Sequence, residues 1–397
     1  MAYAAQKIGL IGRVPIIIGL ESLRLITAKS RSGIQCGFLG QSMINLDDSS
    51  LYGRLDPSGL HHRLQELPAQ CERAWLQAKD VSFPPDLRSF AEIIIVGMGG
   101  SAIAGNLASD LASPSSSPSI RVVRDFWIPG ISKNSNQLIV ACSFSGETKE
   151  TVAMFGQALS EGVAVAAIVG GGTLGKMAKD SGIPIMTVDS PGEPRSAVGC
   201  NLMLLGSLLE RVGAITLSDV EVTEAVDSAT LMASQIGIGI PTVNNLAKQL
   251  ARELIGGLTL VYGGGGLSAV ALRWKSQINE NGKSWAFAEV LPELLHNSVE
   301  SFPGSPEIRD RTTALLLKPY QTNTELGNQY EVLTVMLDQL GIKNRTFTGV
   351  SGGVLAQSLS MIVLGDHISY YMGLLNGVNP SETPIINDAK DRLSTRE

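Results

Sequence analysis

Three clusters of residues carry the chemistry this sequence could perform. The first is Gly97-Met-Gly-Gly-Ser101, directly after the apolar run Glu92-Ile-Ile-Ile-Val96. A strand running into a glycine turn and then a helix leaves free N–H groups facing whatever sits at the helix start, a ready anion site. No Gly-Lys-Ser/Thr follows, and the spacing of Gly97, Gly100 and Gly105 departs from the dinucleotide fingerprint. A plain tight turn therefore fits this segment as well as a ligand loop does. The second cluster, Ser143-Phe-Ser-Gly-Glu-Thr148, ends another apolar run. One helix cap needs one hydroxyl. Three hydroxyls (Ser143, Ser145 and Thr148) beside Gly146 make a set of donors able to hold a phosphate with neither lysine nor metal. Glu147 must then point outward, because a carboxylate beside a phosphate is repelled.

The third cluster is Asn279-Glu280-Asn281-Gly-Lys283, followed by Leu294-Leu295-His296-Asn297. Glu280 falls near the end of a helical stretch that Gly282 is suited to terminate. A solvated helix residue and a general base are both open to it. His296 is one of four histidines, and its ring exchanges a proton near neutral pH.

The elements that must position these clusters follow from apolar patterning. Leu60, Leu64, Leu67, Cys71 and Trp75 recur at helical spacing, with Pro68 dividing two helices. Short apolar runs at 92–96, 120–123, 137–142, 163–169 and 184–188 alternate with helical stretches, including 149–159 and a short helix after Gly170 to Leu174, and Ser113 to Ser119 reads as a loop. This spacing implies a parallel sheet with helices on both faces. The design recurs 166 residues on (Gly97 against Gly263), where Leu258-Thr-Leu-Val-Tyr262 enters Gly263 to Gly266 and a helix. Helices are expected over 218–248 and 325–339, a strand over 343–347, and a helix in two parts over 354–375. The expected organisation is an extension over 1–42, read as a poorly patterned leader or an upstream misassigned start, and two α/β domains, 43–225 and 226–397.

Composition narrows the function classes. The chain has 397 residues, 44% hydrophobic and 17% charged, which excludes intrinsic disorder. A net charge of −6 with no basic run argues against nucleic-acid binding. Cys36, Cys71, Cys142 and Cys200 are scattered without a CxxC pair, so no structural metal and no disulfide framework is expected, in keeping with a reducing cytosol. The uncharged runs 254–272 and 346–365 are too rich in glycine and polar residues to span a membrane, and 14–20 lacks a cleavage site for a signal.

Taken in order, Val96-Gly-Met-Gly-Gly-Ser101, Ser143-Phe-Ser-Gly-Glu-Thr148, Pro194-Arg195-Ser-Ala, Asn279-Glu280-Asn281, Pro292-Glu-Leu-Leu-His296-Asn297, Gly377-Val-Asn-Pro and Lys390 resemble the bifunctional phosphoglucose/phosphomannose isomerases. These are members of the sugar isomerase (SIS) superfamily with two SIS domains in tandem, and the resemblance covers residues 43 to 397. It implies a flavodoxin-like three-layer α/β sandwich in each domain, metal-free and cofactor-free interconversion of hexose 6-phosphates, and a homodimer. It further implies that Gly100 and Ser101 bind sugar phosphate, that Ser143, Ser145 and Thr148 hold the phosphate, and that Arg195 sits over the reacting carbons. Glu280 would accept the proton, His296 would donate one, across the subunit interface, and Lys390 would bind substrate. The sequence departs from the family at Leu295 and Glu147, where asparagine is usual, which bears on substrate preference. A non-catalytic SIS regulator would need the serine loops but not Glu280, Arg195 and His296 together; the isomerase half of a hexosamine synthase would follow a glutaminase segment.

Overall fold

Helices α1 (Ser49–Leu55), α2 (Leu60–Gln65) and α3 (Leu67–Lys79) lead into the first sheet. The computed structural model describes residues 44–83, 90–112 and 118–395. The expectations for the leader, Cys36 and most of the loop after Ser113 fall outside the described residues. Met43–Glu397 forms one unit. Pro68 sits in the first turn of α3, where its missing N–H costs no hydrogen bond, and so starts a helix rather than interrupting one.

The first sheet comprises β1 (Glu92–Val96), β2 (Ser119–Val123), β3 (Gln137–Ser143), β4 (Ala164–Val169) and β5 (Ile185–Thr187), in the order β2-β1-β3-β4-β5. Every pairing is parallel. Ile93 to Val96 are fully buried, the signature of a strand covered on both faces. Alternate residues serve opposite layers. Ile93, Ile95, Leu138 and Val140 join the core with α4 (Gly99–Asp110). Ile94, Val96, Ile139 and Ala141 pack with Met154 and Phe155 of α5 (Lys149–Glu161) and Leu174 of α6 (Gly172–Asp180). The buried helix α7 (Val198–Arg211) follows, then α8 (Asp219–Ile236) and α9 (Leu246–Leu254). The helix expected over 218–248 is thus two, separated by residues 237–245, and the boundary expected at residue 225 falls inside α8.

The second sheet repeats the plan with four parallel strands. β6 (Leu258–Gly264) is followed by α10 (Ser268–Glu280), β7 (Ala286–Leu291), α11 (Pro306–Arg309), β8 (Thr312–Lys318), α12 (Thr324–Gln339) and β9 (Lys343–Thr348), and the order is β7-β6-β8-β9. Val261, Leu315 and Leu317 face one layer, with Trp274 of α10, while Tyr262, Ala314 and Leu316 face Tyr330, Leu333 and Leu337 of α12. The fold is therefore α/β with helices on both faces of each parallel sheet, as the sequence implies.

The last helices are α13 (Val354–Leu375) and α14 (Pro384–Ser394). α13 is one unbroken helix, not two, and is buried from Leu355 to Leu374. Gly365 does not break it. A Cβ there would lie 2.3 Å from Trp274 Nε1, so the glycine admits the α10 indole against the α13 backbone. Among the described residues no helix is long and apolar enough to cross a membrane.

Candidate active site

In the first sheet the chain leaves β1 toward β2 on one side and returns to β3 on the other, and ligands in open α/β sheets sit at the carboxyl ends of strands at such a switch point. Both sequence-predicted loops are there. They abut: a Cβ at Gly97 would lie 2.8 Å from Cys142 O. Gly100, in the first turn of α4, is a second close approach, because a Cβ would meet Pro194 O at 3.0 Å and Arg195 Cα at 3.3 Å. The glycine at 100 thus seats α4 against the turn that carries Arg195, and Ser101 is buried beside it.

Arg195 lies in a 3-10 turn (Pro194–Ala197) and is only 6% exposed. Its Nε donates to Asn281 Oδ1 at 2.7 Å, and its Nη2 donates to Pro380 O at 3.0 Å and Ser381 O at 2.6 Å. With those atoms occupied, Nη1 stands 3.8 Å from Glu280 Oε2. Glu280 is the last residue of α10, its side chain 30% exposed. Burial holds the Arg195 guanidinium below the ordinary arginine value, opposed by the Glu280 and Glu193 carboxylates. Beneath the pair, Arg273 meets Asp366 of α13 through two bonds of 3.1 and 2.6 Å, and Arg273 Nη2 also donates to Arg195 O at 3.0 Å. A bidentate, wholly buried pair fixes a backbone carbonyl more firmly than a single neutral bond would.

Gly100, Arg195 and Glu280 line one open cleft, together with Arg124, Ser276 and Gln277. Arg124 escaped the sequence reading. It directly follows β2 and donates to Asn106. The available signal was a cation just past a strand at the carboxyl edge of a parallel sheet.

The hydroxyl loop is built tightly. Ser143 Oγ accepts the Gly146 N–H at 3.0 Å and lies 3.3 Å from Thr148 Oγ1, and Ser145 Oγ accepts the Glu147 N–H at 3.2 Å. Thr148 occupies the N-cap of α5 yet makes no side-chain capping bond. The Glu147 carboxylate turns onto α6, accepting from Thr173 N and Oγ1 at 2.8 Å each. None of the three hydroxyls lines the cleft.

Like the three hydroxyls, His296 and Lys390 are not brought to the cleft within one chain. His296 is exposed at the end of a 3-10 turn (Glu293–His296) beyond β7, and Lys390 is exposed on α14, which buries none of its residues. Among the described residues no group of three or more His, Cys, Asp or Glu side chains is placed to hold a metal ion.

Residues 243–393 match the family model of the bacterial phospho-glucose isomerase C-terminal SIS domain. A bifunctional phosphoglucose/phosphomannose isomerase from Caldicellulosiruptor bescii is 29% identical over 329 residues, covering 83% of this chain and 97% of that protein. One from Aquifex aeolicus is 29% identical over 309 residues, covering 78% and 92%. In structure the chain is similar to a glucose-6-phosphate isomerase like protein from Thermus thermophilus, with a TM-score of 0.57, 17% identity and coverage of 88% and 99%. That likeness shows the fold.

Proposed function

From the similarity of this chain to the bifunctional phosphoglucose/phosphomannose isomerases along most of its length, we infer that it is a sugar-phosphate isomerase that interconverts glucose 6-phosphate and mannose 6-phosphate with fructose 6-phosphate. The observation that supports this reading best is Arg195 Nη1 facing Glu280 Oε2 at 3.8 Å in a cleft walled by the first turn of α4. Residues 43–225 and 226–397 are taken as tandem SIS domains. The first supplies Gly100, Ser101, the hydroxyl loop and Arg195; the second supplies Glu280, His296 and Lys390.

The chemistry assigns each group a task. Ser143, Ser145 and Thr148, with the N–H groups around Gly100 and Ser101, hold the phosphate, so that recognition needs no basic surface. His296 of a second copy of the chain passes a proton during ring opening, which places the working unit as a homodimer. Glu280 removes the proton from C2 of the open aldose, leaving a cis-enediolate whose charge lies on the C1 and C2 oxygens, and returns the proton to C1 to give the ketose. The Arg195 guanidinium stabilises that charge, on the scale of one oxyanion-hole donor, about 3 to 4 kcal/mol. Lys390 contacts substrate. Glucose and mannose phosphates differ only at C2, so one carboxylate serves both where that centre is loosely held.

The test is the purified protein with fructose 6-phosphate and excess EDTA. Both aldose phosphates are expected to form at rates EDTA does not alter; no conversion overturns the reading, and loss of conversion with EDTA overturns metal independence. Glu280→Gln is expected to lower kcat at least 1000-fold while hexose 6-phosphate still binds by calorimetry; full activity would remove Glu280 from the mechanism.

A further inference from the structure

Lys283 belongs to the Asn279 to Lys283 segment but has no part in the proton transfer above. Its backbone φ is +49°, a left-handed conformation where glycine is at ease and a lysine is strained. A strained residue held in place points to a side chain that is used. The Lys283 Nζ donates to three carbonyl oxygens: Glu280 O, Pro380 O at 3.1 Å and Glu382 O at 2.6 Å. An ammonium has three donors and no acceptor, so this set satisfies it. Glu280 O is among the last carbonyls of α10, which lack partners within the helix and attract a cation. Pro380 O is shared, since Arg195 Nη2 donates to the same atom.

We propose that Lys283 is a positioning residue: its ammonium clasps the Pro380–Glu382 segment to the end of the helix that carries Glu280, and the carbonyls of that segment hold the Arg195 guanidinium with Nη1 toward Glu280. The assignment rests on the reading of Glu280 and Arg195 as the reacting pair. The segment is also touched by Arg63, whose Nη2 lies 3.4 Å from Ser381 Oγ and which pairs bidentately with Glu193. Arg63 therefore steadies the opposite side of the same loop. The groups facing Lys283 are Arg195 and Glu193 from the 193–195 turn, Glu280 from α10 and Glu382 from the segment itself. Burial first, then Arg195, bring the Lys283 amine down to about 8, opposed by the three carboxylates. Above that pH the neutral amine has two donors for three carbonyls, and one carbonyl is left facing a lone pair.

Lys283→Gly is the decisive variant, because it removes the side chain and relieves the left-handed backbone, so that the chain still folds by circular dichroism. Hydrogen exchange of 379–384 and steady-state kinetics on fructose 6-phosphate are measured together. In Lys283→Gly the segment is expected to exchange at least tenfold faster at pH 7, and kcat to fall about thirtyfold with KM changed less than threefold. The wild-type kcat is expected to fall above about pH 8, and the variant to lack that limb. Unchanged exchange overturns the clasp whether or not the wild type isomerises sugar phosphates. Faster exchange with unchanged kcat overturns the positioning role. A wild type without isomerase activity, with exchange still raised in the variant, keeps the clasp and overturns only the reaction assigned to Glu280 and Arg195.

Discussion

Carboxylates in this chain take different roles according to what stands within reach of each. Glu147 is spent on the first turn of α6, Glu280 faces a buried guanidinium, and Asp110, at the end of α4, accepts the Ala269 N–H at the start of α10 at 2.7 Å. Burial raises the Asp110 carboxyl to about 6 despite that bond. The folded protein then binds this proton more tightly than the unfolded chain, whose aspartate titrates near 4, so stability is present below about pH 4 and lost as pH rises through 6. Asp110→Asn keeps an oxygen for Ala269 and removes the charge. Its thermal midpoint is expected to exceed the wild-type value at about pH 7.5 and to match it at about pH 3.5, by scanning calorimetry. Residue types with an unusual local density, such as the three hydroxyls and the Asn279 to Lys283 run, were legible in the sequence. Asp110 and Arg124 were not, because each is one ordinary charge until folding sets Asp110 against the start of α10 and Arg124 at the cleft.

At the scale of elements, glycine turns that follow buried strands were the readable feature, and they mark the carboxyl ends of β1, β3 and β6 close to where they were expected. What separates a ligand loop from a plain turn is the packing behind it. Gly146 has φ of +71°, and a Cβ there would come within 1.8 Å of Gly171 O, so the hydroxyl loop is wedged against the start of α6. Gly146→Ala is expected to cost more than about 2 kcal/mol by urea unfolding, and to weaken inorganic phosphate binding by calorimetry; a loss within 0.5 kcal/mol, about the scale of an unconstrained surface change, would mean the loop is free to move. Among the elements the apolar patterning missed, two have a plain physical reason. α7 is buried from Val198 to Leu209 and so has no amphipathic period, and β7 exposes Phe287 and Val290 on a sheet edge.

Across the whole molecule, the site depends on a buried ion pair that joins distant parts of the chain. Arg273 on α10 and Asp366 on α13 are each 1% exposed, and the same arginine holds Arg195 O from a third segment. Asp366→Ala leaves an unpaired buried cation, at a cost of about 3 to 5 kcal/mol. The expected outcome in urea is a lower midpoint with the slope unchanged, and kcat reduced by the looser Arg195 turn. An unaltered midpoint would show that water or another group replaces the carboxylate.

The sequence by itself determined the local chemistry: strand, glycine turn and helix at 92–110, hydroxyls at the end of β3, and a carboxylate at a helix end. Such features depend on neighbours within a few residues, whose types and spacing are written in order. The tertiary structure alone decided that Arg195, 85 residues before Glu280 in the chain, meets it across a cleft, that a continuous α13 supplies Asp366, and that Lys283 ties Glu280 to Pro380 and Glu382. Those meetings come from packing two sheets' helices around shared apolar surface, which no short window of sequence contains.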